Sequence, residues 1–537
     1  MPSPLSVDVE VDASRSLGAY RPIWNWFGYD EPNYTYTPNG KKLLKTLTTL
    51  SPEPVRIRVH NLLTSGDGVA ALKWGSTNAY TVGPDGAPVY DWSIMDRIFD
   101  AFVEAGNVPL IQVGFTPEDL SDYEGPYRHS WSLETGETSI TAGWAAPPNN
   151  LDRWSELVAA WARHLIERYG EDKVRTWPWE VWNEPDGRYW TGSIEEFCAM
   201  YDATVHAIRG VLPDAKVGGP HVRGPFFYEG ARTFLRQFLA HVVKNKSPID
   251  FIAFHAKGRP AVVDGKVRMG LSIHLNDISV GLQIVKEFPE LAGLPVILGE
   301  TDPEGCAACS ARYFPQNDYR NGPLYSVYII ENMVRTYEIS RQEGVEIEGA
   351  VTWSFLFEDQ PYFDGFRDLA TNGIEKAVLN SFRLLGMLGG DWVESRSSHA
   401  IPLEKVMSDS VRDGPDVNVA ATRADDAISV LLWNYHDDDT SDHAAGTAEI
   451  AVTLRGIDWP SVSITAYRID HEHSNAHAVW KRMGSPQSPT EKEYEALVAA
   501  SALEHDAPVR QEVRGGEIQY RCAIPRQGVV LLRVEPA

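Results

Sequence analysis

Two glutamates in this chain each close a short run of apolar residues. The run from Trp177 to Trp182 is rich in large, strand-favouring side chains, and Asn183, Glu184 and Pro185 follow it directly. Because proline has no backbone N–H to donate, the predicted strand stops near Glu184 and presents this carboxylate at its carboxyl end. The alternative is a surface turn with a solvated glutamate, which the density of tryptophan around it disfavours.

The second glutamate, Glu300, ends an apolar run that begins at Leu294, and the turn residues Thr301 and Asp302 follow it. Two carboxylates at the tips of two buried strands are what hydrolysis of a glycosidic bond requires, because one serves as general acid and the other as nucleophile. We therefore predict that Glu184 is the acid/base and Glu300 the nucleophile.

Composition narrows the class of protein. With 537 residues the chain exceeds one ordinary core, and 43% apolar residues with 17 tryptophans indicate a globular protein of about two domains. The formal net charge of −25 repels nucleic acids and anionic membranes, so we expect neither as a partner. No stretch is apolar enough to span a membrane, and no signal peptide is visible at the N-terminus, which predicts a cytoplasmic protein.

The four cysteines do not form the framework of a small disulfide-rich protein. Cys306 and Cys309 have the spacing of redox and zinc sites, but no second pair of metal-ligand spacing accompanies them. We predict two small thiols in a loop, which agrees with a reducing compartment.

Most of the chain alternates between apolar runs of strand length and amphipathic segments of helix length. The predicted strands are 22–27, 54–60, 108–113, 177–182, 215–219, 250–255, 294–300 and 348–354. The predicted helices are 39–50, 91–105, 151–168, 193–210, 229–245, 276–288, 320–343 and 372–388.

Eight alternating units predict an α/β fold of the (β/α)₈ TIM-barrel type, whose site lies at the carboxyl ends of the strands. The segments 114–149 and 256–275 are long loops on that same face. Loops of such length in a compact domain usually form functional walls or lids.

After Gly390 the pattern changes to short, β-branched runs separated by Gly, Pro and Asp. We predict a catalytic barrel over 15–390 and an antiparallel β-sandwich accessory domain over 391–537, joined by an N-terminal strand within 1–14. The predicted strands of the sandwich are 417–422, 427–434, 447–454, 462–468, 518–523 and 528–534, with 5–11 as the added strand.

Polar side chains stand at the tips of several of these strands. Arg58 and His60 alternate on one face of the second strand, where both can bind sugar hydroxyls or orient a carboxylate. The alternative for Arg58 is a buried partner of an acidic residue at another strand end.

The sixth strand ends with His255 and Lys257, which also share a face. The eighth ends at Trp353, suited to lie under a sugar ring, and leads to Glu358. All four side chains are predicted to contact the substrate.

Several of these motifs together carry a resemblance. Asn183-Glu184-Pro185 after the fourth strand, with Glu300 after the seventh, is similar to the large clan of retaining glycosidases built on (β/α)₈ barrels. The ordered set at 58–60, 182–186, 254–255 and 353–360 resembles glycoside hydrolase family 39, which contains β-xylosidases and α-L-iduronidases built as a barrel with a β-sandwich. The resemblance covers about 19 to 388 and, more loosely, the C-terminal sheet.

The resemblance implies an exo-acting xylosidase that removes the non-reducing terminal β-1,4-linked xylose from xylooligosaccharides with retention. Asn183 is expected to bond the sugar 2-hydroxyl, a contact that strengthens in the transition state. The chemistry needs no metal and no organic cofactor. The oligomeric state stays open.

Lys257 departs from the xylosidase pattern, in which a tyrosine stands two residues after the sixth-strand histidine. The context Gly299-Glu300-Thr301-Asp302-Pro303 also resembles the iduronidase branch, in which a lysine at this position binds the uronate carboxylate. A uronidase is therefore an alternative, unless Lys257 pairs with a carboxylate such as Glu358 or is solvated at the rim. A non-catalytic carbohydrate-binding barrel is a further alternative, which the paired glutamates disfavour.

Overall fold

The structure is a computed structural model that describes residues 5–136, 141–440 and 446–537. The first four residues of the predicted N-terminal strand region and residues 137–140 of the predicted loop 114–149 lie outside the described residues. None of the described helices is both long and apolar enough to cross a membrane.

Eight parallel strands close into a barrel, which confirms the predicted (β/α)₈ architecture. The barrel strands are Trp26–Tyr29, Arg56–Val59, Val108–Val113, Trp179–Val181, Val217–Val222, Phe251–Lys257, Val296–Asp302 and Ile347–Trp353. The helices that follow them are Pro38–Thr48, Ser93–Ala105, Leu151–Tyr169, Ile194–Val211, Glu229–Asn245, Leu271–Lys286, Pro323–Glu343 and Ala377–Gly386, with a short helix at Glu171–Val174.

Local sequence signals set the ends of the helices. Ser193 and Glu196 form a capping box, and the Asn150 side chain accepts a hydrogen bond from the backbone N–H of Arg153. Gly106 ends its helix in the left-handed conformation, with φ of 84°. The first strand begins four residues later than its predicted start at 22, because the backbone around Ile23 turns, with its N–H bonded to the carbonyl of Arg21.

Strand alternation divides the core into an inner and an outer layer. Trp26 and Ile297 point into the barrel and belong to an apolar cluster that reaches Trp353. Phe27 and Leu298, their neighbours in sequence, pack outward in the main core with the helices. The inner cluster supports the carboxyl ends of the strands from below.

A ten-stranded sheet forms the second module, as predicted for a separate sheet domain. Its strands are Leu5–Ala19, Asp391–Ser397, Asp416–Arg423, Ile428–Tyr435, Ala448–Arg455, Ser461–Ile469, Glu504–His505, Val509–Glu512, Glu517–Ile524 and Val529–Pro536. This part of the chain also contains the helices Leu403–Asp409, Ala476–Arg482 and Glu491–Ser501.

The N-terminal strand lies between two strands of this sheet. It runs antiparallel to Asp391–Ser397 and parallel to Ala448–Arg455, so the sheet is not wholly antiparallel. The strand also continues to Ala19, beyond its predicted end at 11. Register shifts after Asp12 and Ser16 let the polar segment stay paired.

Three two-stranded ribbons complete the described strands, and each follows a barrel strand at the carboxyl face. They are Tyr80–Val82 with Pro88–Tyr90, Ala261–Val263 with Lys266–Arg268, and Ala370–Thr371 with Ile374–Glu375. The ribbon at 261–268 lies within the segment 256–275, which was predicted as a loop.

Candidate active site

The carboxyl ends of the barrel strands enclose a polar cavity of about 120 Å³. Glu184, Glu300 and Trp353 reach it from three different strand tips. The remaining lining residues are Asp30, Lys73, Asn183, Tyr189, Arg223, Gly224, Tyr228, His255, Lys257, Arg259, Asp277 and Gly305.

Glu184 follows the fourth barrel strand, as the sequence predicts, in a backbone conformation that few non-glycine residues adopt. Its φ is +45°, and that of Trp182 is +70°. The backbone N–H of Glu184 donates to the carbonyl of His221 at 2.9 Å, which ties the turn to the fifth strand. This bond helps offset the strain of the turn and aims the carboxylate at the cavity.

The surroundings of Glu184 keep its carboxyl group protonated near neutrality. Burial, followed by the negative charge of Glu300, raises the pKa of Glu184 to about 7, although Lys257 and Arg223 act in the opposite direction. His255 Nδ1 lies 3.0 Å from Glu184 Oε1, and burial lowers the pKa of this histidine to about 3. A neutral imidazole therefore contacts a carboxyl group that can hold a proton.

Glu300 lies on the seventh barrel strand in the opposite electrostatic environment. Burial alone would raise its pKa, but the positive charges of Lys257 and Arg58 lower the pKa well below the usual carboxyl range. Lys257 Nζ donates to Glu300 Oε2 at 2.6 Å, and Arg58 Nη1 lies 3.4 Å from Oε1. Glu300 is therefore an anion.

One oxygen of Glu184, one of Glu300 and a ring nitrogen of His255 lie within 4.8 Å of one another. This spacing could suit a metal ion, but two cations, Lys257 and Arg58, already contact the Glu300 carboxylate. Their charges oppose a further cation, so the residues present do not fit a metal site.

Arg58 is fully buried and connects the glutamates to a third carboxylate. Its Nε donates to Glu180 at 2.6 Å, and its Nη2 donates to Asn183 Oδ1 at 3.0 Å. The predicted acidic partner of Arg58 thus exists in addition to Glu300. Because Asn183 Oδ1 is occupied, its amide nitrogen is the group that remains to donate to a substrate hydroxyl.

His60 lies between the first-strand tip and Glu300. Its Nδ1 is 2.8 Å from Asp30 Oδ1, and its Nε2 is 3.9 Å from Glu300 Oε1. Burial lowers the pKa of His60, and the ring is therefore neutral at pH 7. Asp30 also pairs with Lys73, whose charge, together with the His60 hydrogen bond, outweighs burial and lowers the pKa of Asp30.

Trp353 closes the inner end of the cavity. Its ring lies 4.9 Å from the guanidinium carbon of Arg58 and 4.3 Å from the ring of His60. The backbone N–H of Trp353 donates to Asp302 at 2.9 Å. The indole is held on two sides, as a platform for a sugar ring would need.

Lys257 is bonded to two carboxylates at once, and Glu358 is not one of them. Its Nζ lies 2.6 Å from Glu300 and 2.9 Å from Asp302. Glu358, like Arg58 and His60, is not among the residues that line the cavity, and its contact with substrate stays a prediction. Its carboxylate accepts a hydrogen bond from Asn39 Nδ2 on the first helix, because the chain turns away after Trp353.

Cys306 and Cys309 form a disulfide, so the prediction of two thiols in a loop is wrong. The spacing of three residues let the two side chains meet within one turn next to Gly305, which lines the cavity. The predicted reducing compartment depended in part on free thiols and stays a prediction.

Several residues of the site escaped the sequence analysis. Glu180 is buried between Arg58 and His221, and its signal was a lone charge inside an apolar strand. Lys73 and Arg223 come from loops without a recognisable pattern, where only the folded chain brings them to the cavity.

A closed (β/α)₈ barrel that presents one protonated and one ionised glutamate in a polar cavity defines a glycosidase. The chain belongs to glycosyl hydrolases family 39, whose pattern matches residues 7–518.

The similar proteins are named for two different substrates. The chain is 24% identical over 498 residues to a β-xylosidase of Geobacillus stearothermophilus, a match that covers 89% of this chain and 86% of that protein. It is 27% identical over 424 residues to an α-L-iduronidase of Canis lupus familiaris, covering 71% and 59%. A monomeric β-xylosidase from Caulobacter crescentus CB15 shares the fold with a TM-score of 0.75 at 23% identity, covering 98% of this chain and 99% of that one.

Proposed function

We propose that this protein is a retaining exo-glycosidase that removes the non-reducing terminal β-1,4-linked xylose from xylooligosaccharides. The observation that carries the proposal is the pair of glutamates, whose oxygens approach within 4.8 Å while their pKa values are shifted in opposite directions. Retaining enzymes keep their carboxyl groups about 5–5.5 Å apart, whereas inverting enzymes need roughly 6.5–9.5 Å to admit a water molecule.

In this mechanism Glu300 attacks the anomeric carbon while Glu184 gives its proton to the departing oxygen. The resulting ester removes the negative charge of Glu300, which is one of the two causes that raise the pKa of Glu184. Glu184 then titrates at lower pH and can take a proton from the attacking water. The Asn183 amide donates to the 2-hydroxyl throughout.

The small volume and the charge balance of the cavity support a short, neutral terminal sugar. The cavity of about 120 Å³ is small, which agrees with exo action on a terminal sugar. Lys257 is the natural partner for a sugar carboxylate, but Glu300 and Asp302 already neutralise it.

A uronidase is the second candidate, because Lys257 lines the cavity and its ammonium group could exchange Asp302 for a substrate carboxylate. Loss of one charge-assisted bond would then cost about 1.5–3 kcal/mol, roughly tenfold or more in specificity for a uronide.

A panel of aryl glycosides separates these functions, with the stereochemistry of the released sugar followed by NMR. The proposal predicts turnover of the aryl β-xyloside with a β-anomer as first product, and a Lys257→Tyr variant that keeps this activity. Hydrolysis of an aryl α-L-iduronide alone, lost selectively in Lys257→Tyr, would replace the xylosidase with the uronidase.

The Glu300→Gln variant gives the rate without the nucleophile for both substrates, because it keeps the shape of the side chain without its charge. A 2-deoxy-2-fluoro-xyloside should label Glu300 in the parent enzyme. Binding of xylooligosaccharides without turnover of any glycoside in the panel would instead support a non-catalytic barrel.

A further inference from the structure

One wall of the cavity contains an arginine whose hydrogen-bonding groups are only partly used. Arg259 stands two residues after Lys257, beyond the end of the sixth barrel strand, and lines the cavity that holds Glu184. In the described part of the chain its guanidinium forms no ion pair, and its buried Nε has no hydrogen-bond partner. A cation in this position is available to a ligand.

Arg223, on the same wall, is paired with a carboxylate, unlike Arg259. Its Nε donates to Asp186 Oδ2 at 2.9 Å, and its guanidinium lies 3.9 Å from the centre of the Tyr228 ring. Arg223 is therefore neutralised by a carboxylate. Arg259 approaches the same tyrosine, at 4.9 Å, but forms no ion pair among the described residues; its charge only opposes, through space, the rise that burial causes in the pKa of Asp277.

The guanidinium of Arg259 is nevertheless held in place. It lies 3.9 Å from the centre of the Phe227 ring and donates to the hydroxyl of Tyr228. The loop that carries these rings is anchored by Asp277, whose Oδ1 accepts hydrogen bonds from the backbone N–H groups of Phe226 and Phe227 at 2.9 and 3.0 Å. The cation is thus preorganised, which reduces the entropy cost of binding a ligand.

The residues around Arg259 belong to the loops that follow the fifth and sixth barrel strands, next to the fourth strand that Glu184 follows. Trp353 comes from the eighth strand, on the other side of the barrel. With Trp353 and Asn183 assigned to the terminal sugar, the wall around Arg259 is left for the aglycone beyond Glu184. Phe227, whose ring the guanidinium covers, and its neighbour Phe226 are 47% and 41% exposed, so this wall offers apolar surface to solvent next to a positive charge.

We propose that Arg259, with Phe226 and Phe227, forms a leaving-group subsite that selects an aglycone carrying a carboxylate. The inference rests on the proposed glycosidase function and adds the substrate class on the far side of the scissile bond. A carboxylate can accept two parallel hydrogen bonds from a guanidinium. The chain as a whole carries a net charge of −25, so recognition of an acid must come from a local cation such as this one.

The test compares leaving groups that differ in charge but not in reactivity. The glycone is the one that the aryl panel identifies, linked to 3-(4-hydroxyphenyl)propanoate or to its amide, because the methylene groups insulate the phenol from the carboxylate. We expect kcat/KM about tenfold higher for the acid, a preference that falls with added salt. Arg259→Gln should bring kcat/KM for the acid down to that for the amide, and Arg259→Lys should retain part of the preference.

A second pair of substrates distinguishes the source of the acid: a disaccharide whose reducing sugar is a uronic acid, and its neutral counterpart. A preference for the acid in the first pair alone assigns an aromatic acid, and in the second pair alone a sugar acid. Arg236→Gln is the control, since Arg236 lies on the exposed helix Glu229–Asn245 and pairs with Glu287.

Equal rates for acid and amide in both pairs, or equal losses on both in Arg259→Gln, would overturn the subsite while leaving the glycosidase intact. Absence of turnover of every glycone in the panel would instead refute the proposed function. The thermal midpoint of Arg259→Gln, compared with that of the parent, shows whether the variant is folded. Arg259→Lys repeats the kinetic test with the positive charge retained.

Discussion

The two glutamates owe their different protonation states to their neighbours. Glu184 contacts the neutral ring of His255 and faces the charge of Glu300, whereas Glu300 is in direct contact with Lys257 and Arg58. Both carboxyl groups are buried, so the cations decide which of them ionises. Each residue-scale prediction tests one part of this arrangement.

Removal of the acid should affect substrates according to their leaving groups. Glu184→Ala is expected to lower kcat/KM by about 10²–10⁴-fold for a poor leaving group and far less for an activated aryl glycoside. Added azide should then yield a β-glycosyl azide, identified by NMR. The surface variant Glu290→Ala is the control, and an α-glycosyl azide would contradict the assigned roles.

The pH profile of kcat/KM should report both carboxyl groups. Activity should fall as the pH rises through about 7, where Glu184 loses its proton, and on the acidic side only well below the usual carboxyl range. Lys257→Met removes a charge that lowers the pKa of Glu300, so its acidic limb should move to higher pH by about one unit or more. An unmoved acidic limb would show that Lys257 does not control the ionisation of Glu300.

The raised pKa of Glu184 also has a cost in stability. In the folded protein the pKa is about 7, above the usual value of about 4.3 in an unfolded chain, so the folded state loses stability as the pH rises through this interval. Glu184→Gln should therefore stabilise the protein at pH 8 by on the order of 2 kcal/mol, and much less at pH 4. Thermal unfolding at both pH values measures this difference, and an equal effect at both would argue against it.

At the scale of elements, neighbouring barrel strands must approach closely to position the site. Gly28 on the first strand faces Trp353 on the eighth, and a Cβ atom at Gly28 would lie 2.4 Å from the indole. The first strand therefore supports the tryptophan platform by having no side chain at this position.

Gly28→Ala should push Trp353 out of place. We expect a loss of about 1–3 kcal/mol in unfolding free energy and a larger relative loss of kcat/KM, because the indole lines the cavity. Gly210→Ala is the matched control: this helical glycine has nothing within 4 Å of an added Cβ, and alanine should stabilise the protein by about 0.5–1 kcal/mol. Unchanged kinetics in Gly28→Ala would show that Trp353 has room to move.

At the scale of the whole molecule, the barrel and the sheet share one apolar core and a buried ionic cluster. Arg335 on the seventh barrel helix pairs with Glu331 at 2.7 Å and with Asp416 of the sheet. Trp433 of the sheet donates its indole N–H to Glu331 at 2.5 Å. Burial, followed by the charge of Asp416, raises the pKa of Glu331 to about 8.

Arg335→Met should leave these carboxyl groups buried without their cation. We expect a loss of about 3–5 kcal/mol in unfolding free energy, measured by chemical denaturation, because a buried ion pair broken on one side leaves an uncompensated charge. Arg341→Met, on the exposed face near the end of the same helix, should change stability by less than about 0.5 kcal/mol. Equal effects of the two variants would mean that the cluster does not join the modules.

Much of this fold was predictable from the sequence because its signals are local. Apolar runs of strand length mark all eight barrel units, and several helices begin at a recognisable cap. Asn183-Glu184-Pro185 follows the end of the fourth strand, and Glu300 lies near the end of the seventh. The parallel arrangement of the strands then brings their carboxyl ends to one face, so the two glutamates had to meet.

Only the tertiary structure decided the contacts between segments that are distant in sequence. Glu358 follows a strand tip as His60 does, yet the path of the chain takes it to Asn39. The disulfide between Cys306 and Cys309 likewise depends on how the loop closes.

The partners of Lys257 and Arg259 show the same limit. Lys257 pairs with Glu300 and Asp302, whereas Arg259, two residues later, packs on Phe227, donates to the Tyr228 hydroxyl and forms no ion pair with any residue that the structure describes. Residue type and spacing determine which chemistry a segment can perform. Electrostatic environment depends on burial and on distances of a few ångströms across the barrel, and these exist only once the chain has folded.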